Sequence, residues 1–374
     1  MSKDVTSLLK IDYPVLAFSH CRDVVAAVSQ AGGFGVLGAV AHSPERLQVD
    51  LDWIEERVGD RPYVVDLLLP EKYVGSDAGG LSPEALASLL PPEHQRFLDD
   101  LLDRYGVGPL PEGSEKESGF SMHVSPEGYG PLLDVAFDHK ISLLASALGP
   151  APAEVIDRAH DRGVLMAALA GSLHHAERHV ATGVDLIVAQ GTEAGGHTGQ
   201  VSTMVLVPEV VDVASPVPVL AAGGIARGRQ VAAAMALGAA GVWTGSVWLT
   251  TEEAETLPAV KQKFLSATSS DTIRSRSITG KPARMLKSAW TEAWEAPDAP
   301  DTLGMPLQPL LVSSALARIN RVAHQEGTGA SQLANYFVGQ VVGSLKMVRP
   351  ARRVLLDMME EYAETLARLG SADA

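Results

Sequence analysis

The chain alternates short, almost wholly apolar runs with longer stretches whose apolar residues recur every three or four positions. "YPVLAF" (13–18), "GFGVLGA" (33–39) and "RPYVVDLLL" (61–69) are runs of the first kind, and so are Ile141–Leu144, Val164–Ala168, Asp185–Ala189, Val217–Ala221 and Gly241–Thr244. Segments of helical length and periodicity lie between them, among them "RDVVAAVSQAG" (22–32), "APAEVIDRAHDRG", "SLHHAERHVATG", "STMVLVPEVVDVAS" and "ARGRQVAAAMALG". In "SPERLQVDLDWIEERVG" (43–59) a serine followed by proline marks a helix start, because the hydroxyl caps free amides and proline lacks the amide that would go unpaired. A strand that is apolar at every position must be covered on both faces, as in a parallel sheet flanked by helices. Eight strands alternating with helices predict an α/β chain folded as a (β/α)8 TIM barrel, with an open doubly wound sheet as the structural alternative.

Two segments exceed what such a barrel needs. Residues 70–121 interrupt the alternation after the third strand, and their amphipathic middle, "EHQRFLDDLLDRYG", predicts a helix over the barrel mouth. After the eighth strand a second excursion, 246–349, precedes a last helix, "ARRVLLDMMEEYAETLARL", so that residues 246–374 pack on the barrel. The barrel core is then 1–69 together with 122–245.

Composition narrows the function. With 45 acidic against 30 basic residues the net charge is −15, the wrong sign for collecting a nucleic-acid backbone or an anionic membrane. There is no apolar run of the roughly 18 residues that spanning a bilayer requires, and no leader-like start, so the expected location is the cytoplasm. The single cysteine, Cys21, allows no internal disulfide and no zinc cluster, and no metal is expected.

The chemistry concentrates in three loops. In a barrel, ligands bind where the strands end, and the last two loops commonly hold a phosphate. Here those loops are "AAGGIARG" and "VWTGS", which place Gly223, Gly224, Gly245 and Ser246 at that position; their amides and the positive end of a helix would favour an anion, with a hydroxyl from Thr244 or Ser246. Beside them "AQGTEAGGHTG" (189–199) sets glycines, Glu193 and His197 directly after a strand. An imidazole titrating near neutrality suits the removal of a carbon-bound proton, which makes His197 the candidate base. Glu193 is as well suited to orienting an amide or hydroxyl. The remaining histidines His42, His94, His139, His160, His174, His175, His179 and His324 read as surface or capping residues, and His20 as either a second active-site imidazole or a cap.

Together "YPVLAF…QAGGFGVLGA", "VAQGTEAGGHTG", "PVLAAGGIARGRQVAAAMALGAAGVWTGS" and "ITGKPARMLKSAWTEAW" resemble the nitronate monooxygenase family, once called 2-nitropropane dioxygenases. The resemblance implies an FMN-dependent barrel that oxidises alkyl nitronates with O2. It further implies that Gln190, Gly195 and Gly196 lie against the flavin, that Gly224, Trp243, Thr244, Gly245 and Ser246 hold its phosphate, and that His197 is the catalytic base. Ala17 to Ser19 fall where family members often carry Ala-Pro-Met, and Asp66 where they often carry asparagine near the flavin. A carboxylate there would disfavour a negatively charged reduced flavin. FMN-type enoyl-acyl-carrier-protein reductases share the Glu-Ala-Gly-Gly-His element and NADH:quinone reductases share the scaffold, so NAD(P)H-dependent reduction of an enoyl thioester or quinone is the alternative. A non-catalytic flavin protein is disfavoured by the base in the loop. Inosinate-type dehydrogenases are disfavoured because Cys21 follows the first strand and lies on no suitable loop.

Overall fold

The computed structural model describes residues 4–69, 83–111, 126–325 and 327–371. Eight parallel strands close into a barrel in the order β1 (Val15–Ser19), β2 (Phe34–Gly38), β3 (Tyr63–Leu68), β4 (Leu143–Ala147), β5 (Leu165–Ala170), β6 (Leu186–Gln190), β8 (Val219–Ala222) and β9 (Gly241–Thr244). These are the eight runs of the sequence, shifted by a residue or two at their ends. Alternation along each strand divides them cleanly: Leu16, Phe34, Val36, Val64, Leu143, Leu186, Val188, Leu220 and Trp243 fill the barrel, while Val15, Leu37, Val65, Leu144, Met166, Ile187 and Val242 meet the surrounding helices. Both sets are buried, which is why the strands are apolar apart from a few residues such as Asp66, Ser146, Gln190 and Thr244 near their C-terminal ends. Among the described residues no helix is long and apolar enough to cross a membrane.

Ser43 caps the helix Pro44–Val58 as expected, its hydroxyl accepting from the Arg46 amide at 3.2 Å. The excursion after β9 begins and ends at one place, since Thr251 pairs with Arg349 and the Glu252 amide donates to the Arg349 carbonyl at 3.1 Å. The last helix, Ala351–Gly370, then packs between the helices Arg22–Gln30 and Gly228–Ala236. It thereby supplies the eighth helix of the ring. Gly228 is needed at that crossing, because any Cβ would strike the backbone of Met358 and Tyr362.

The excursion has a core of its own. Phe264, Leu286, Trp290, Trp294, Leu311, Val312 and Ile319 pack together, and Leu98, Leu101 and Leu102 of the helix Pro92–Arg104 join them. That helix is the one read from "EHQRFLDDLLDRYG". It packs on the C-terminal segment, with His94 Nε2 donating to the Asp301 carbonyl at 2.8 Å; residues 70–82 and 112–125 on either side lie outside the described residues. The excursion also contributes two strands that periodicity did not reveal, β10 (Thr272–Ser275) and β11 (Ala283–Leu286). They form a three-stranded sheet with a two-residue strand, β7 (Gly196–His197).

Candidate active site

His197 sits in that small sheet, paired with Ala283 while Gly196 pairs with Arg284. Its Nδ1–H donates to the Pro282 carbonyl at 3.3 Å, so in the neutral ring Nε2 keeps its lone pair. Enough protein surrounds this half-buried ring that burial, followed in effect by Lys281, lowers its pKa below the usual 6.5, although the Pro282 bond opposes the shift. The imidazole is therefore neutral at neutral pH and able to accept a proton.

The glycines around it serve the protein more than a ligand. A Cβ on Gly195 would lie 2.9 Å from backbone atoms of Val338 and Gly339; one on Gly191 would collide with Thr203, and one on Gly199 with the Gly171 carbonyl. Only Gly196, at φ +74°, faces open space. Three of the four glycines of this loop let it press against neighbouring protein. Glu193 completes the frame. Its carboxylate accepts from the Thr203 amide at 2.9 Å and from the Thr203 hydroxyl at 2.9 Å, capping the helix Thr203–Ala214. Arg284 donates to the Thr192 carbonyl at 2.8 Å, and Arg274 to the Thr198 carbonyl at 3.0 Å.

On the phosphate side, the helix Gly228–Ala236 does not offer its end to an anion. Gln230 accepts from the amides of Ala226 and Arg227, and Glu361 of the last helix accepts from the Gly228 amide at 2.8 Å and from Arg227 and Arg229. The helix-end contribution expected from sequence is consumed internally. The amides of Gly223, Gly224, Ile225 and Gly245 remain without a hydrogen bond to any described residue. Thr244 is committed, donating to the Leu16 carbonyl at 3.0 Å and accepting from Trp248 Nε1 at 3.0 Å, whereas the Ser246 hydroxyl accepts from the Gly339 amide and retains its proton. Of the two hydroxyls, only Ser246 is free to donate.

Inside the mouth, Phe18 stacks on Trp243 with ring centroids 6.3 Å apart, and the His20 ring meets Phe18 edge-on. His20 does not cap a helix: its Nδ1–H donates to the Gly38 carbonyl at 2.7 Å, and surrounding protein lowers its pKa although the ring stays open to solvent. Ala17 turns its methyl toward the outer helices, and Ser19 Oγ accepts from the Cys21 amide at 3.1 Å, so neither side chain faces into the barrel. Asp66 and Gln190 share the inward faces of β3 and β6 with Val64 and Val188, and neither side chain has a hydrogen-bond partner among the described residues. The Cys21 thiol donates to the Glu253 carbonyl at 3.0 Å and burial pushes its pKa up, which makes it unreactive. Its sulfur lies within 4.8 Å of carboxylate oxygens of Asp23 and Glu255, with no further sign of an ion. His94 and His179 prove buried, bonded to the carbonyls of Asp301 and Leu169, and are structural where surface residues were expected.

Known proteins agree with this architecture. The chain is 64% identical over 369 residues to a Mycobacterium tuberculosis protein provisionally named monooxygenase Rv1533, covering 99% of this chain and 98% of that one. It superposes on nitroalkane oxidase from Streptomyces ansochromogenes with a TM-score of 0.79 at 26% identity, covering 98% of this chain and 100% of that chain. With FabK from Thermotoga maritima the TM-score is 0.71 at 26% identity, over 98% of both chains. A sequence model of the nitronate monooxygenase family matches residues 3–361, and with that match across nearly its whole length the chain belongs to this family of flavin-dependent oxidoreductases.

Proposed function

We propose that the protein is an FMN-dependent nitronate monooxygenase that oxidises alkyl nitronates with O2. What supports this reading is that strand ends and loops on one side of the barrel carry an imidazole with a free Nε2, Asp66 and Gln190 without partners among the described residues, and the unbonded amides after β8 and β9. The residues present suit FMN. Amides of Gly223, Gly224, Ile225 and Gly245 with the Ser246 hydroxyl would hold a terminal phosphate, and Glu361 with Arg227 closes the helix end behind them. Bound FMN would supply the redox chemistry, taking electrons from the substrate and passing them to oxygen. The chain's part is to hold and deprotonate: His197 Nε2 takes the α-proton of a neutral nitroalkane, or positions a nitronate that has already lost it. We read the helix Pro92–Arg104 and the excursion core on which it packs as a roof that selects substrates by size.

The likeness to FabK supports a second reading, NAD(P)H-dependent reduction of an enoyl thioester or quinone. Anaerobic mixing separates the two: bleaching of the yellow protein by propionate-3-nitronate favours the first, and bleaching by NADH or NADPH the second. Within the first, His197→Asn should keep FMN bound while turnover of neutral nitroalkane falls by about 100-fold, the usual scale for a positioned base. Preformed nitronate should suffer far less. Because the His197 pKa is lowered, its basic form persists below pH 6.5, so the acid limb of kcat/KM for nitroalkane should lie below that pH; a limb above it, or equal losses with both substrates, would remove His197 as base.

A further inference from the structure

We propose that Asp66 stands in the barrel mouth as a neutral carboxylic acid and donates a hydrogen bond to an acceptor on the bound ligand. The ligand meant is the flavin of the proposed function, so the donor half of the inference rests on that reading, while the protonation state does not.

Position comes first. Val64 belongs to the barrel's inner packing and Val65 and Leu67 to its outer packing, so alternation along β3 turns Asp66 inward, two residues nearer the mouth than Val64. Only 7% of the residue is exposed. Its neighbours in register are Gly38 on β2 and Ala145 on β4, which bring no side-chain donor. The place of a side chain at Gly38 is taken by rings: a Cβ there would lie 2.6 Å from Phe18 Cζ and 2.8 Å from the His20 imidazole. Among the described residues Asp66 therefore has aromatic rings on one side and the Ala145 methyl on the other.

No described group compensates a charge at this point. The His20 ring stands at Gly38 with its Nδ1–H spent on the Gly38 carbonyl, and the protein around it lowers its pKa, so it brings no positive charge. Gln190 on β6 is neutral, and β4 carries only Ala145, Ser146 and Ala147 near this level. Desolvation alone accounts for the shift of the Asp66 carboxyl, which burial pushes up to about 8. A protonated carboxyl keeps one O–H to donate, and among the described residues the Asp66 side chain has no hydrogen-bond partner, so that donor is available to whatever enters the mouth. The expectation from sequence, of a carboxylate repelling negative charge on a reduced flavin, is thereby inverted.

Two measurements on the full chain test this. In flavin-free protein the native carboxyl holds a proton that the unfolded chain releases at about pH 4, so wild type should lose stability relative to Asp66→Asn as pH rises from about 4 to about 8, and no further above that. A gap that stays constant across that window means Asp66 is ionised in the fold and overturns the proposal. Binding of FMN, followed by quenching of its fluorescence, gives the donor half. If only the neutral form binds, the dissociation constant of wild type should rise by about 30-fold between pH 6.5 and 9.5, following the fraction of competent protein. Asp66→Asn, which also donates, should bind as tightly as wild type at pH 6.5 with no such rise, its own profile correcting for ionisation of the flavin; Asp66→Leu should bind weakly at both. Equal binding by Asn and Leu variants removes the donor role. Failure of wild type to bind FMN at all refutes the cofactor reading and the donor role with it, while the stability measurement still decides the protonation state.

Discussion

The two sides of the mouth are built on opposite principles. On the side of residues 191–203, the charged groups are spent inside the protein: Glu193 on Thr203, Arg284 on Thr192, Arg274 on Thr198, with glycines in close backbone contact. On the side of β1 to β3 and of the loops after β8 and β9, polar groups are left over, namely Asp66 and the amides of Gly223, Gly224, Ile225 and Gly245. Buried polar groups without partners cost stability, so a fold keeps them where a ligand repays the cost. The first side is a frame that fixes His197, and the second carries the groups that the proposed function assigns to a ligand.

The contrast breaks most sharply at Gly199. A methyl there meets the Gly171 carbonyl with no flexible atom to yield, so Gly199→Ala should destabilise the protein by roughly 3 kcal/mol in denaturant unfolding, within the range for backbone overpacking. Stability like that of wild type would show the frame to be loose. Glu193→Gln comes next. It keeps the shape but loses a charge that caps a helix start, which should cost about 1–2 kcal/mol, measured in the same way. The smallest stability effect belongs to the other side. Gly245 has a negative φ of −127°, and a Cβ there would meet only Phe18 at 3.9 Å, so Gly245→Ala should unfold within about 0.5 kcal/mol of wild type. Its flavin should nevertheless dissociate more readily, and a variant that loses stability but keeps its flavin would exchange the roles of the two sides.

The same contrast explains what sequence could reveal. Barrel strands such as Phe34–Gly38 and Val219–Ala222 announce themselves because both faces are buried and the run is continuously apolar. His197 stood out because glycines crowd it. Its strand partner did not, since Gly196–His197 is two residues long and β11 lies 86 residues further on, counted from His197 to Ala283, so no local period links them. The close packing of the glycines was out of reach for a related reason: sequence shows that backbone comes close to something, and only the fold shows that Gly171, Thr203 and Val338 are among the neighbours. Likewise Asp66 reads as a charge in a strand until its surroundings are known. Glu361 could not have been foreseen as the cap of a helix 133 residues earlier.

The last helix has a consequence for the order in which the molecule can be completed. A growing chain emerges from its N-terminus, and early segments begin to fold before later ones exist. The sheet strands are all present once β9 has been made, but the wall between helices Arg22–Gln30 and Gly228–Ala236 stays open until Val354, Leu355 and Met358 arrive to cover it. The strand that holds His197 in place is likewise synthesised after every strand of the barrel. The loops after β8 and β9 thus exist in the nascent protein well before the strand that fixes His197, and the helix that closes the wall follows last of all.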